Sequence, residues 1–141
     1  MKNIEHIARV LIVREDKILL CKDLKHGHYF LPGGHVEFGE NAEKSLIREM
    51  KEESQSEISD LKFVGVFENS YEEDGEIHHE VNVLHTADVK DEKVISKESH
   101  ISFDWVDIDN LTNINFLPKE FAEGIIKWKK EGGVIYLSTL K

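Results

Sequence analysis

The segment from Asn41 to Gln55 (NAEKSLIREMKEESQ) is the strongest helix candidate in the chain, and the runs on either side of it are β-branched or aliphatic. A helix set between strands has to lay its apolar stripe on a sheet, so this pattern constrains the chain to an α/β arrangement. With Ala42 at the origin and about 100° per residue, Leu46 falls near 40°, Met50 near 80° and Ile47 near 140°, a core-facing stripe. Asn41 suits the N-cap, and Glu43 lies in the first turn, where the helix dipole favours negative charge.

Residues 5–13 and 17–22 read as two strands joined by the Glu15–Asp16 turn, a hairpin signal. A loop from Asp23 to His28 leads to Tyr29-Phe30-Leu31 and a Pro-Gly-Gly turn at 32–34. Strand-like runs follow at 61–68, 80–89 and 101–107; Glu72 to Glu76 forms an exposed acidic turn. A second helix is predicted from Lys119 to about Lys130, stopped by Gly132-Gly133, with residues 134–137 as a last short strand or packed tail. Strands on both sides of one helix and a second helix late predict an α/β sandwich with a mixed sheet. No repeat, low-complexity tract or linker interrupts the 141 residues, which points to a single domain over 1–141. The lone Cys21, inside the apolar run Ile18-Leu19-Leu20, reads as a buried, inert thiol. The apolar stretch from Ile7 to Val13 is broken by Arg9 and too short for a membrane span, so a cytoplasmic protein is expected.

The same wheel puts Glu49 at roughly 340°, Glu52 at roughly 280° and Glu53 at roughly 20°, three carboxylates on one face with Glu53 at the edge of the apolar stripe. Acids placed only for solubility would lie on the far side, beside Lys51. Like charges three or four residues apart repel, so the cluster makes chemical sense around a cation. Mg²⁺ is a hard ion that takes carboxylate, water and phosphate oxygens. Arg48 is spaced to orient one of the acids by a charge-assisted hydrogen bond. Taken alone, such a cluster is more plainly a solvated face. The Leu31-Pro32-Gly33-Gly34 approach reverses that reading, because its glycines allow backbone to come close to a ligand.

Gly34, five residues, Glu40, seven residues, then Arg48-Glu49-Met50-Lys51-Glu52-Glu53 resembles the Nudix box of the Nudix hydrolases. The opening strands, the Gly-Gly approach, Phe103-Asp104-Trp105-Val106 and the Pro118-led helix are similar to that family's layout. The resemblance implies a Nudix-like α/β/α sandwich that cleaves a pyrophosphate bond in a nucleoside diphosphate linked to another group. It implies Mg²⁺ or Mn²⁺ held by Glu49, Glu52, Glu53 and the Gly33 carbonyl, with Arg48 and Glu40 supporting the loop–helix geometry. Glu49 is a ligand or a water-orienting base in this scheme. An additional acid comes from Glu98, before the Trp105 strand, or from Glu80; substrate contacts are expected from Gly34, Phe30, His35 and Glu80. Gln55 and Ser56 depart from the pattern, which has Gly and an aliphatic residue there. Gln in a left-handed helix stop would cost about 1 kcal/mol, or the helix ends another way.

His26, His28 and His35 do not have a zinc-ligand spacing and read as loop histidines, with phosphate contact as the alternative. Tyr29, Phe30 and Phe67 are simplest as core, although one aromatic would serve to stack a base. The absence of proline between Pro32 and Pro118 points away from the ADP-ribose subclass, and Tyr71 points toward dinucleoside polyphosphates. Acidic and basic residues number 28 and 18, a formal charge of −10. That balance argues against nucleic acid as partner and against capped RNA as substrate, but not against a small nucleotide held through cations. A non-catalytic nucleotide-binding domain and a metal buffer are the alternatives; a homodimer is compatible with all three.

Overall fold

The computed structural model describes residues 2–141. Strand β1 (Ile4–Leu11) is buried on both faces from Ile7 to Leu11 except at Arg9, and β3 (Lys17–Asp23) from Ile18 to Cys21. Successive side chains alternate between two clusters. Ala8, Val10, Leu19 and Cys21 pack with Leu46 and Met50 of α1 (Ala42–Glu53). Leu11, Ile18 and Leu20 pack with Phe121 and Ile125 of α2 (Glu120–Glu131). One helix closes each cluster, giving the α/β/α sandwich.

The strands form two sheets. The larger runs β5 (Gly33–His35), β1, β7 (Glu76–Val89), β6 (Ile58–Glu73) and β9 (Ile135–Ser138), and it is mixed. β1 with β7 and β6 with β9 are parallel; β1 with β5 and β6 with β7 are antiparallel. In the smaller sheet β3 pairs with β2 (Val13–Arg14), β4 (Tyr29–Phe30) and, along its whole length, β8 (Ile101–Asp107). A 3₁₀ segment, Ile108–Asn113, follows β8. Among the described residues no helix is long and apolar enough to cross a membrane.

Three expectations change. The opening hairpin survives only at its tip, where Val13 faces Ile18 and Arg14 faces Lys17. β1 instead joins the other sheet, in parallel register with β7 from Ile4↔His79 to Leu11↔Thr86. A strand apolar on both faces gains most at a sheet's interior, where both rows of backbone groups are paired. Second, β6 and β7 run further than their apolar cores and meet at Asp74 and Gly75, whose φ angles of 52° and 79° make a tight hairpin turn. Third, α1 does not use a left-handed stop at Gln55. Ser54 is extended (φ −137°), its N–H and its hydroxyl both donate to the Met50 carbonyl, and Gln55 N–H donates to Ile95. A strand-like bridge from Ser54 to Ser96 thus replaces the expected glycine. Ser56 is buried with its hydroxyl donating to Asp91 at 2.7 Å, which explains a polar residue at an aliphatic position.

Candidate functional site

The Gly-Gly pair becomes β5, clipped to β1 through Arg9↔Gly33 and Ala8↔Gly34. Gly33 has φ 138°, and a side chain there would strike the Ala8 carbonyl. At Gly34 an added Cβ would stand 2.7 Å from the Glu49 carboxyl carbon. The missing side chain is the space that the Glu49 carboxylate occupies.

Asn41 starts α1 as its sequence suggests, its Oδ1 accepting from Lys44 N–H at 2.9 Å. Two turns later Arg48 gathers the surrounding carboxylates. It grips Glu40 with two bonds (Nε to Oε2, 2.8 Å; Nη2 to Oε1, 3.0 Å). Its Nη1 donates to Glu49 at 3.0 Å and to Glu52 at 3.2 Å, and Nη2 reaches the His35 carbonyl at 3.2 Å. The Arg48 guanidinium, helped by the Glu37 N–H, holds the Glu40 carboxyl at about 2. The same bonds raise the Arg48 pKa further above its ordinary value. This clamp fixes the loop to the helix.

Glu53 is in the opposite situation. It is half-buried beside Cys21 and Glu49, and burial, then the hydrogen bond and charge of Glu49, push its carboxyl up to about 8. Glu98 adds to that push, whereas Arg9 opposes it. The loop carrying Glu98 is tied to the end of α1: Lys97 N–H donates to the Glu53 carbonyl at 2.8 Å and Lys97 Nζ to Lys51 at 2.7 Å. Of the two additional acids, Glu98 is carried by this loop at the end of α1, whereas Glu80 lies on β7 and lines the cleft.

The donor set fits a hard divalent cation: oxygen ligands only, two of them close enough that one carboxyl resists ionising until a positive charge arrives. Among the described residues, however, no three His, Cys, Asp or Glu side chains stand as a finished metal cage. Arg48 takes one oxygen each from Glu49 and Glu52, and Glu52 is largely exposed.

A cleft of about 730 Å³ opens on the face of the large sheet that α2 leaves uncovered; Arg9, which lines it, is also the cation whose charge reaches Glu53. The register puts Arg9 of β1, Glu80 and Asn82 of β7, and Asn69 and Tyr71 of β6 on that one face. Phe30 lines one wall and Leu117-Pro118 another, and a recess of about 50 Å³ continues the cleft down to Phe67. Arg9 donates to the Leu31 carbonyl at 2.9 Å and has no carboxylate within ion-pair distance among the described residues.

Of the expected site residues, Arg48, Glu49, Glu52, Glu53, Gly33, Gly34 and Glu98 therefore converge, and Phe30 and Glu80 share the cleft. His35 lies away from it, its ring engaged by Glu5 at 2.8 Å. Glu5 also holds His78 at 3.0 Å, and Tyr71 stacks on His78 with 4.9 Å between rings. His26 is bound to Asp23 at 2.9 Å within its own loop. Sequence reasoning missed Arg9, Asn69 and Asn82. Arg9 had a signal, since a cation inside an apolar strand is costly unless it has a task; the asparagines had none.

A family model described as "NUDIX domain" matches residues 5–130. The Bacillus subtilis Nudix hydrolase YvcI is 26% identical over 119 residues, covering 84% of this chain and 75% of its own. The ADP-ribose pyrophosphatase of Methanocaldococcus jannaschii is 28% identical over 122 residues, covering 84% and 71%. In fold, the MutT protein of Bacillus halodurans superposes with a TM-score of 0.75 at 18% identity over 94% of this chain and 86% of its own. The family model spans the whole Arg48-centred acid cluster and every cleft residue except Thr139, and the chain belongs to the Nudix hydrolase family.

Proposed function

We propose that residues 1–141 act as one Mg²⁺- or Mn²⁺-dependent pyrophosphohydrolase for a nucleoside diphosphate linked to another moiety: a nucleoside triphosphate, a dinucleoside polyphosphate or a nucleotide sugar. The observation that carries this reading is the set of acids clamped by Arg48, together with a cleft lined by two cations, Arg9 and Lys119, neither of which has a carboxylate within ion-pair distance among the described residues. Glu49, Glu52, Glu53 and the Gly33 carbonyl would hold the metal. When bound, it lowers the pKa of an attacking water and offsets charge on the phosphates. The chain's own groups do the rest. Arg48 fixes Glu49 over Gly34. Arg9 attracts the phosphates from the cleft side. Glu98 is poised beside the acids to take the proton of the attacking water. Phe30 offers a face to the base.

No acid of the motif is replaced, which favours catalysis over a binding-only domain. The test is phosphate release from a panel of nucleoside triphosphates, dinucleoside polyphosphates, nucleotide sugars and ADP-ribose, with Mg²⁺ and with chelator. Turnover that needs the metal and vanishes in Glu52→Gln supports the proposal. Release no greater than that of Glu52→Gln on every substrate refutes it.

A further inference from the structure

We infer that the cleft reads the Watson–Crick edge of guanine, with the Glu80 carboxylate accepting from the base's N1–H and its 2-amino group. The inference rests on the nucleotide reading above, since it takes the base as lying in the cleft with its phosphates toward Glu49, Glu52 and Glu53.

Glu80 is 8% exposed in the middle of β7, an expensive place for a carboxylate. No cation stands within ion-pair distance of it among the described residues. Its two partners both donate to the same oxygen: Asn69 Nδ2 to Oε1 at 3.3 Å and Asn82 Nδ2 to Oε1 at 3.2 Å. The second oxygen, Oε2, receives no hydrogen bond from any described residue, and Glu80 lines both the recess and the cleft. The two amides are themselves anchored. Asn82 Nδ2 also donates to the Phe67 carbonyl at 3.2 Å, and Asn69 Oδ1 accepts from Thr139 at 3.0 Å. The floor is therefore a fixed acceptor that a ligand's donors must satisfy.

The common bases differ sharply against such a group. Guanine presents two adjacent donors, N1–H and the 2-amino group, which suit a charge-assisted pair of bonds. Adenine and cytosine set a ring-nitrogen lone pair beside their amino group, so one contact attracts and the next repels. Uracil and thymine place a single N–H between two carbonyls, both repelled by the carboxylate. Phe30 on one wall and Leu117-Pro118 on the other supply flat and apolar surfaces for the ring. Arg9 lines the same recess and cleft as Glu80 and offers the phosphates a cation there. The prediction parts company with the relative whose name specifies an adenosine compound.

The experiment compares GTP, ITP, ATP and CTP by kcat/KM with Mg²⁺. In parallel, calorimetry measures binding of the α,β-methylene analogues of GTP and ATP, which resist cleavage at that bond. GTP should exceed ATP by tenfold or more, and ITP, which lacks only the 2-amino group, should fall between. Glu80→Gln keeps an oxygen for Asn69 and Asn82 but turns a donor toward the base, so the GTP-over-ATP ratio should drop at least tenfold. The wild-type comparison needs no variant: GTP and ITP within twofold of each other, or the two analogues bound within twofold, overturns the inference. Selective binding of the guanosine analogue without any turnover would uphold the base reading and refute the hydrolase one. Turnover with no base preference would do the reverse, and no binding with no turnover overturns both.

Discussion

The two helices are each 12 residues long and each closes one face of the sandwich, but they are held by different forces. α2 is fastened by apolar burial: Phe121, Ala122 and Ile125 are sunk in the core, and Phe121 stacks on Phe67 with ring centroids 4.8 Å apart. α1 buries only Ser45, Leu46 and Met50, and its outer corner is tied by Arg48 to Glu40, Glu49 and Glu52. Its far end is stitched to the 95–97 segment by backbone bonds in place of a glycine cap. A helix that must carry converging carboxylates cannot also spend that face on packing, so ion pairs and backbone bridges take over the work of attachment. The lesson is that α2 should respond to mutation in stability and α1 in activity.

The sharpest way to break this division is at Glu53. Glu53→Gln should lower kcat/KM about a thousandfold, roughly 4 kcal/mol of barrier. Because the Gln amide can donate to Glu49 as the protonated Glu53 carboxyl does, and never ionises beside it, the melting temperature should stay equal or rise; a large fall in melting temperature would show that Glu53 is mainly structural. Phe121→Ala is the mirror experiment. It should cost about 3 kcal/mol in denaturant unfolding, while kcat of the folded fraction changes little. A third variant sharpens the comparison at the helix end. Gln55→Gly restores the family's usual residue, yet Gln55 is not left-handed here, so the added chain entropy should destabilise by about 0.5–1 kcal/mol. A gain in stability would contradict the extended stop at Ser54.

The smallest effect concerns the Glu5 clasp. Hydrogen bonds from His35 and then His78 lower the Glu5 pKa, and the bond to Glu5 raises that of His78. The His78 contribution is fully present below its unfolded value of about 6.5 and is lost as pH rises through its raised folded value. The Glu5 contribution is present above its own unfolded value and disappears as pH falls through the lowered one. The melting-temperature gap between wild type and Glu5→Gln should therefore be wider at pH 6 than at pH 9; an equal gap at both would exclude the ionic clasp.

Much of the α1 corner was legible because its chemistry is local. The Asn41 cap, the spacing from Gly34 to Glu53 and the position of Glu53 at the edge of the apolar stripe all fall within about twenty residues, and the structure keeps each of them. The cleft was far less legible. Its floor joins residues from β1, β6 and β7 through a register that no local period records. Asn69 and Asn82 carry no local signal, and only the register that sets Glu80 between them gives them a role. The hairpin signal at 5–22 misled for a related reason: two adjacent apolar strands suggest a local pair, whereas burial on both faces sent β1 to β7.

That parallel pairing also sets a timetable. During synthesis the strand Ile4–Leu11 and the complete acidic motif emerge early, yet β1's parallel neighbour, Glu76–Val89, and the segment carrying Glu98 are made only later. Such long-range pairing is slow to close. A nascent chain ending just after α1 would hold every carboxylate of the motif with no sheet to seat it on. The motif therefore gains its seat only once the chain has been made past Val89, by the order in which its own strands become available.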